Sequence, residues 1–139
     1  MINFNNTTTF KLPSATQLKS WLKSIMTEEG FTEGELNFLF CDDNHLHKLN
    51  VEFLNHDTLT DIITFDYNVG RQVYSDICIS IERIQDNALT HKVSPINELC
   101  RVMAHGVLHL CGYKDSTKEE KVEMRGKEDY YLSQLELNI

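Results

Sequence analysis

Two prolines and six glycines among 139 residues are too few for a disordered or low-complexity chain. No apolar run approaches the roughly 20 residues that a membrane-spanning helix needs, so a membrane-embedded protein is not expected. The opening Met1-Ile2-Asn3-Phe4-Asn5 lacks the basic-then-apolar pattern of a secretory leader. The cytoplasm is therefore the expected location. Cysteine is also scarce and unpaired in pattern. Cys41, Cys78, Cys100 and Cys111 contain no Cys-x-x-Cys, and each stands beside an apolar residue. In a reducing compartment they read as small core residues, although Cys111 is close enough to the histidines discussed below for a ligand or redox role to stay open. A basic surplus is missing too. Thirteen Lys and Arg against 21 Asp and Glu leave a net charge of -8. That disfavours nucleic-acid binding through bulk charge, and any RNA substrate would have to be held by a local basic patch or by a metal.

What the chain does contain is ordinary for a soluble globular protein: 41% hydrophobic and 24% charged residues. One domain spanning residues 1–139 is expected. A chain of this length buries on the order of two thirds of the surface it exposes when unfolded.

Residues 2–10 read as a short strand. Pro13 and Ser14 open a helix carrying Leu18, Trp21, Leu22 and Ile25 at helical spacing, which Gly30 ends. Leu36 to Cys41 reads as a strand; Asp42, Asp43 and Asn44 cap a helix bearing Leu46, Leu49, Val51 and Phe53, broken by Asn55-His56-Asp57. Ile62 to Phe65 is another strand, Asn68-Val69-Gly70 a turn, and Val73 to Ile81 the strongest strand, apolar enough to be covered on both faces. A helix is expected over 81–91. The next begins at Ser94-Pro95, with Glu98 placed to complete a capping box. Ser116-Thr117 caps a last, charged helix running to about Leu135. The fold class is therefore α/β (α+β): one layered domain with a small mixed sheet of about four strands packed with about five to six helices.

The chemistry concentrates in His105-Gly106-Val107-Leu108-His109-Leu110-Cys111-Gly112-Tyr113-Lys114-Asp115. Residues i and i+4 share a helix face, so His105 and His109 can point at one atom. Gly112 suits a helix stop, after which Asp115 can return toward the two rings. Two imidazoles, one carboxylate and an open position form the ligand set of a catalytic zinc site; nickel, iron or manganese would also accept these donors. The spacing matches the metzincin pattern His-x-x-x-His-x-x-Gly-x-x-His with aspartate in the last place. A protease of that kind places a glutamate general base directly after the first histidine. Here that residue is Gly106. Metal-assisted hydrolysis survives, because zinc lowers the pKa of the water it holds toward about 7, but the protease loses its base.

His105-Gly106-x-Leu108-His109-Leu110-x-Gly112-Tyr113 closely resembles the signature of the YbeY family of bacterial metal-dependent endoribonucleases. Leu49-Asn50 through Thr60-Asp61-Ile62-Ile63-Thr64-Phe65 is similar to that family's Leu-Asn…Thr-Asp-Val-Leu-Ser-Phe block, and Ser75-Asp76-Ile77-Cys78-Ile79-Ser80 to its Gly-Asp-Ile-x-Ile-Ser strand. The resemblance implies a metal held by His105, His109 and Asp115. It implies single-strand-specific cleavage in ribosomal RNA maturation at the 3′ end of the small-subunit RNA, a part in ribosome quality control, and partners in the small subunit or its assembly factors. It also exposes departures. Asp115 stands where the family has its third histidine, Lys114 where it has aspartate, Leu54 where it has an arginine and Leu59 where it has a proline.

Asp61 is a candidate to orient a ligand or cap a strand, and Lys114 to offset charge or meet a phosphate. Asp76 is expected to be hydrogen-bonded near the site. Arg101 reads as a solvated helix residue that would reach phosphate only at need, and His45, His47, His56 and His91 as surface residues. The alternating charges from Lys118 to Asp129 read as a solvated face. A zinc metalloprotease and a non-catalytic ribosome-assembly factor with a structural metal remain as alternatives to the endoribonuclease.

Overall fold

The computed structural model describes residues 1–54 and 60–137. Their elements run β1 (Ile2–Asn6), α1 (Ala15–Glu28), β2 (Thr32–Cys41), α2 (Asp43–Leu54), β3 (Ile62–Asp66), β4 (Gln72–Ser80), α3 (Ile81–His91), α4 (Pro95–Leu110) and α5 (Lys118–Ser133). The four strands form one mixed sheet in the order β1-β2-β4-β3. β1, β2 and β4 are parallel; β3 joins the edge antiparallel to β4.

Side chains of a strand alternate between faces, and here the two faces have different partners. Leu36, Phe38 and Phe40 of β2 and Val73, Ile77 and Ile79 of β4 lie in the main core with residues of α1, α3, α4 and α5. Cys41, Ile63 and Cys78 point the other way and pack with Leu46 of α2. This explains why Ile77, Cys78 and Ile79 are all buried: β4 is covered on both sides. Beyond the reach of α2 the second face turns polar. The Asn3 amide donates to Asn37 (2.9 Å), whose own amide donates to Asp76 (3.1 Å), a ladder across three strands. Asp76 thus sits on the sheet face opposite α4, away from the histidines, because its neighbour Ile77 takes the inward position.

Two boundaries and one capping contact differ from the sequence reading for local reasons. β1 stops at Asn6, whose side chain accepts from the Thr8 backbone (2.9 Å) and hydroxyl (2.7 Å) and turns the chain. β2 starts at Thr32, earlier than its apolar run, because its polar first residues pair with β4. Ser94 caps α4 by accepting from Asn97, but Glu98 does not reach back; it is buried and bonded to His91 Nδ1 at 2.9 Å. The capping box is found instead at α5, between Thr117 and Glu120. The expected break at residues 55–57 and the position of Leu59 lie outside the described residues.

α4 is the helix that three others surround on one face of the sheet: it packs against α1, α3, α5, β3 and β4. Ten of its residues are buried, so the helix that carries both histidines is itself core. Its contact with the sheet is close at Gly106, where a Cβ would fall 2.9 Å from Ile62 Cδ1 and 3.3 Å from Ile77 Cδ1. Gly126 in α5 has nothing within 4 Å of the same position. Opposite outcomes are expected for one chemical change. Gly106→Ala should destabilise by about 1–3 kcal/mol through overpacking. Gly126→Ala should stabilise by about 0.5–1 kcal/mol through helix propensity. Urea melts of the two variants check the signs; equal signs would mean that α4 does not touch the sheet at residue 106.

Candidate metal centre

α4 ends in a Schellman motif. The Tyr113 N–H donates to Leu108 O (3.1 Å) and the Gly112 N–H to His109 O (3.0 Å), with Gly112 at φ +100°, a conformation that favours glycine. Asn68 also donates its amide to Leu110 O (2.9 Å), satisfying another end-of-helix carbonyl. The turn has two results. It sends the chain back so that Asp115 reaches the histidines, and it presents the Tyr113 carbonyl to His109 Nδ1 at 2.9 Å.

A carbonyl oxygen only accepts, so His109 Nδ1 carries the proton there and the lone pair of the neutral ring is left on Nε2. At His105 the Nδ1 faces the buried carboxylate of Glu128 at 2.7 Å. Both rings are thus held by their outer nitrogens, and their Nε2 atoms meet 2.9 Å apart. Asp115 Oδ2 lies 3.2 Å from His105 Nε2 and 3.5 Å from His109 Nε2. The three donor atoms all fall within 4.8 Å of one another and form a group able to hold a metal ion. Ligand atoms around tetrahedral zinc at about 2.0–2.1 Å are about 3.3 Å apart, which matches this spacing. The 2.9 Å contact between the two Nε2 atoms is one that a shared proton or a metal ion can bridge.

The surrounding charge favours one. Burial alone would lower the His105 pKa, but the hydrogen bond and charge of Glu128, together with Asp115 and Asp61, outweigh it and raise the value above that of ordinary histidine. The same carboxylates make the surroundings of His105 favourable for positive charge. Asp61, just before β3, lines the cavities on both sides of the triad. Its pKa is raised, chiefly by burial, against the opposing effect of its own backbone N–H and of His105. Its carbonyl also accepts from Ser80 N–H (2.9 Å), so it caps the strand pair as well.

The other sequence candidates separate. Lys114 is exposed, lines neither cavity, and lends its charge to Glu120. Cys111 is not in the donor group; burial, and then the charge of Glu29, push its thiol up to about 12. Arg101 is neither solvated nor free: it bonds Glu128 (2.9 Å) and Asp129 (2.6 Å). His91 holds Glu98 and borders the cavity at the centre; His45 is exposed, His47 half-buried, and His56 lies outside the described residues. Leu54, the last residue of α2, lines a cavity with both histidines.

Sequence reasoning missed Glu128, which it had assigned to a solvated face. The signal was present: Met124, Glu128 and Tyr131 recur at i, i+4 and i+7, and all three are buried. It also missed Glu29. Just beyond α1, Glu29 accepts from the hydroxyls of Tyr113 (2.7 Å) and Tyr131 and from Lys127 (3.3 Å), and so clamps the turn that supplies the His109 acceptor. Burial would raise the Glu29 pKa, but these donors outweigh it and lower it below the ordinary 4.5.

A family model described as Endoribonuclease YbeY matches residues 2–136. An endoribonuclease YbeY from Flavobacterium johnsoniae is 54% identical over 129 residues, covering 93% of each chain. One from Flavobacterium psychrophilum is 50% identical over 132 residues, covering 95% of this chain and 94% of the relative. The solution structure of a Thermotoga maritima protein superimposes with a TM-score of 0.69 at 25% identity, covering 97% of this chain and 89% of that one.

Two outcomes are expected. Glu128→Gln should weaken metal binding by about 10–100-fold, the usual cost of losing a partner of a ligating histidine; calorimetric titration with zinc measures it, and unchanged affinity would show that Glu128 does not orient His105. Glu29→Gln should remove a stability contribution that is complete above about pH 4.5 and lost as the pH falls through the lower folded value. The wild type and variant melting curves should therefore converge in acid, and a gap independent of pH would refute the clamp's charge dependence.

Proposed function

The chain belongs to the endoribonuclease YbeY family, and on that premise we propose that it is a single-domain, zinc-dependent endoribonuclease of the cytoplasm. Its substrate is single-stranded precursor ribosomal RNA, at the 3′ end of the small-subunit RNA. Its partners are the small subunit or its assembly factors, with a part in ribosome quality control. The observation that carries the reading is the convergence of His105 Nε2, His109 Nε2 and Asp115 Oδ2 while both Nδ1 atoms are engaged elsewhere.

His105, His109 and Asp115 are the residues that would hold the ion. When bound, it supplies Lewis-acid chemistry: activation of water and stabilisation of charge on a phosphoryl oxygen. The chain's own residues do the rest. Glu128 and the Tyr113 carbonyl fix the tautomers and directions of the two rings. Asp61, made a better proton acceptor by burial, stands beside His105 to take a proton from the attacking oxygen. Lys114, exposed at the turn, adds positive charge to the approach of the RNA instead of a contact at the centre.

A metalloprotease of this pattern would need a carboxylate at residue 106, and that residue is Gly106, where even a Cβ would fall 2.9 Å from Ile62 Cδ1. A purely structural metal in an assembly factor would be closed by a fourth protein ligand. Among the described residues the donor group has three members, and cavities border it on two sides.

The test joins metal analysis by mass spectrometry to cleavage of precursor ribosomal RNA and of a peptide library. Wild-type protein should hold one equivalent of zinc and cut RNA; His109→Ala should lose the ion and slow cleavage by more than about 100-fold. Product ends bearing 2′,3′-cyclic phosphate would identify the RNA 2′-hydroxyl as nucleophile, and linear phosphate ends would identify water. Wild-type protein without stoichiometric metal, or one that cuts peptides and spares RNA, would contradict the proposal.

A further inference from the structure

The two cavities that flank the metal centre share carboxylates but differ in their cations. The one on the β3 side, about 480 Å³, is lined by Leu54, Thr60, Thr64 and Asp66 besides the centre itself, and carries no Lys or Arg among the described residues. The one on the α5 side, about 350 Å³, is lined by Arg101, Lys121 and Arg125 as well as by the carboxylates of Asp61, Glu98, Asp115 and Glu128. Arg101 is already spent on Glu128 and Asp129. Lys121 and Arg125 are exposed and have no ion pair among the described residues.

Their placement is not that of ordinary surface charge. Lys121, Met124, Arg125 and Glu128 stand at i, i+3, i+4 and i+7 of α5 and form one stripe. Its buried members hold the core and His105. Its exposed members meet the cavity. Like charges at i and i+4 are unfavourable for the helix itself, and α5 is otherwise rich in carboxylates that could have alternated with them. In a chain of net charge -8, two adjacent unpaired cations at the mouth of the site are the local basic patch that a polyanion requires.

We propose that Lys121 and Arg125 grip the RNA backbone on the α5 side of the metal centre, holding a phosphate next to the scissile one. This rests on the endoribonuclease reading above. It gives the substrate a direction: one side of the cut strand is held by charge on α5, while the other runs over the wall of β3 and Leu54, which carries no Lys or Arg among the described residues. Lys121 and Arg125 are binding residues, so their loss should raise KM more than it lowers kcat.

The test uses zinc-loaded protein and a fluorescein-labelled single-stranded oligonucleotide with 2′-O-methyl phosphorothioate linkages, which resists cleavage by either nucleophile. The Lys121→Glu, Arg125→Glu variant should bind about tenfold or more weaker at low salt. The neutral Lys121→Gln, Arg125→Gln variant should lower the slope of log affinity against log salt by about 1.4, two single-strand phosphate contacts at about 0.7 each. A Lys11→Glu, Lys48→Glu variant carries the same charge change on residues that line neither cavity and should bind close to wild type; circular dichroism checks that all three fold. If the α5 variants bind no worse than this control while wild type cleaves RNA, the grip is wrong and the endoribonuclease reading stands. If wild type neither binds nor cleaves RNA, that reading falls and the grip falls with it.

Discussion

The site depends on two hydrogen bonds that face away from it. Glu128 at His105 Nδ1 and the Tyr113 carbonyl at His109 Nδ1 leave each ring only its Nε2 to offer, and direct both at one point. Without them the rings would be free to rotate about their side-chain bonds and to exchange tautomers, and ordering them would oppose metal binding. With them the donors are oriented before any ion arrives. The cost of gathering these groups is met by the fold: Glu128 is buried against a helix that the core already holds, and its charge is shared with Arg101.

The rest of the architecture serves that arrangement. Gly106 lets α4 approach the sheet closely enough to be fixed by Ile62 and Ile77. Gly112 permits the turn that brings in both the Asp115 carboxylate and the His109 acceptor. Glu29 ties that turn to α1 and α5 through Tyr113, Tyr131 and Lys127. A single helix therefore carries the histidines, while three separate elements orient them. α5 contributes on two levels: its buried stripe positions His105, and its exposed stripe faces the cavity beside it.

Much of this was legible in the sequence because it is local. Helical spacing brought His105 and His109 together, Gly112 marked the return to Asp115, and the β-branched run 73–81 announced a strand covered on both faces. The four-stranded mixed sheet and five helices follow the same patterns. What escaped was long-range. Glu128 is 23 residues from the histidine it bonds, inside a charged run whose alternation hid its core register. Glu98 satisfies a capping pattern, yet His91 is closer to hand once α3 packs on α4. Asp76 was expected near the site, but the side its strand presents to α4 was set by Ile77, and strand periodicity alone does not say which face meets which helix. Arg101 looked solvated for the same reason as Glu128: each is the other's partner, 27 residues away in sequence.

The proposal that His105 and His109 bind one metal ion through Nε2, with Asp115, rests on their Nδ1 atoms being already committed. Anomalous diffraction from crystals of the zinc-loaded protein tests it most directly. A single peak is expected, bonded to both Nε2 atoms and the Asp115 carboxylate, with Glu128 and the Tyr113 carbonyl still on the Nδ1 atoms. A peak bonded through Nδ1, or one elsewhere in the protein with the triad empty, would contradict it.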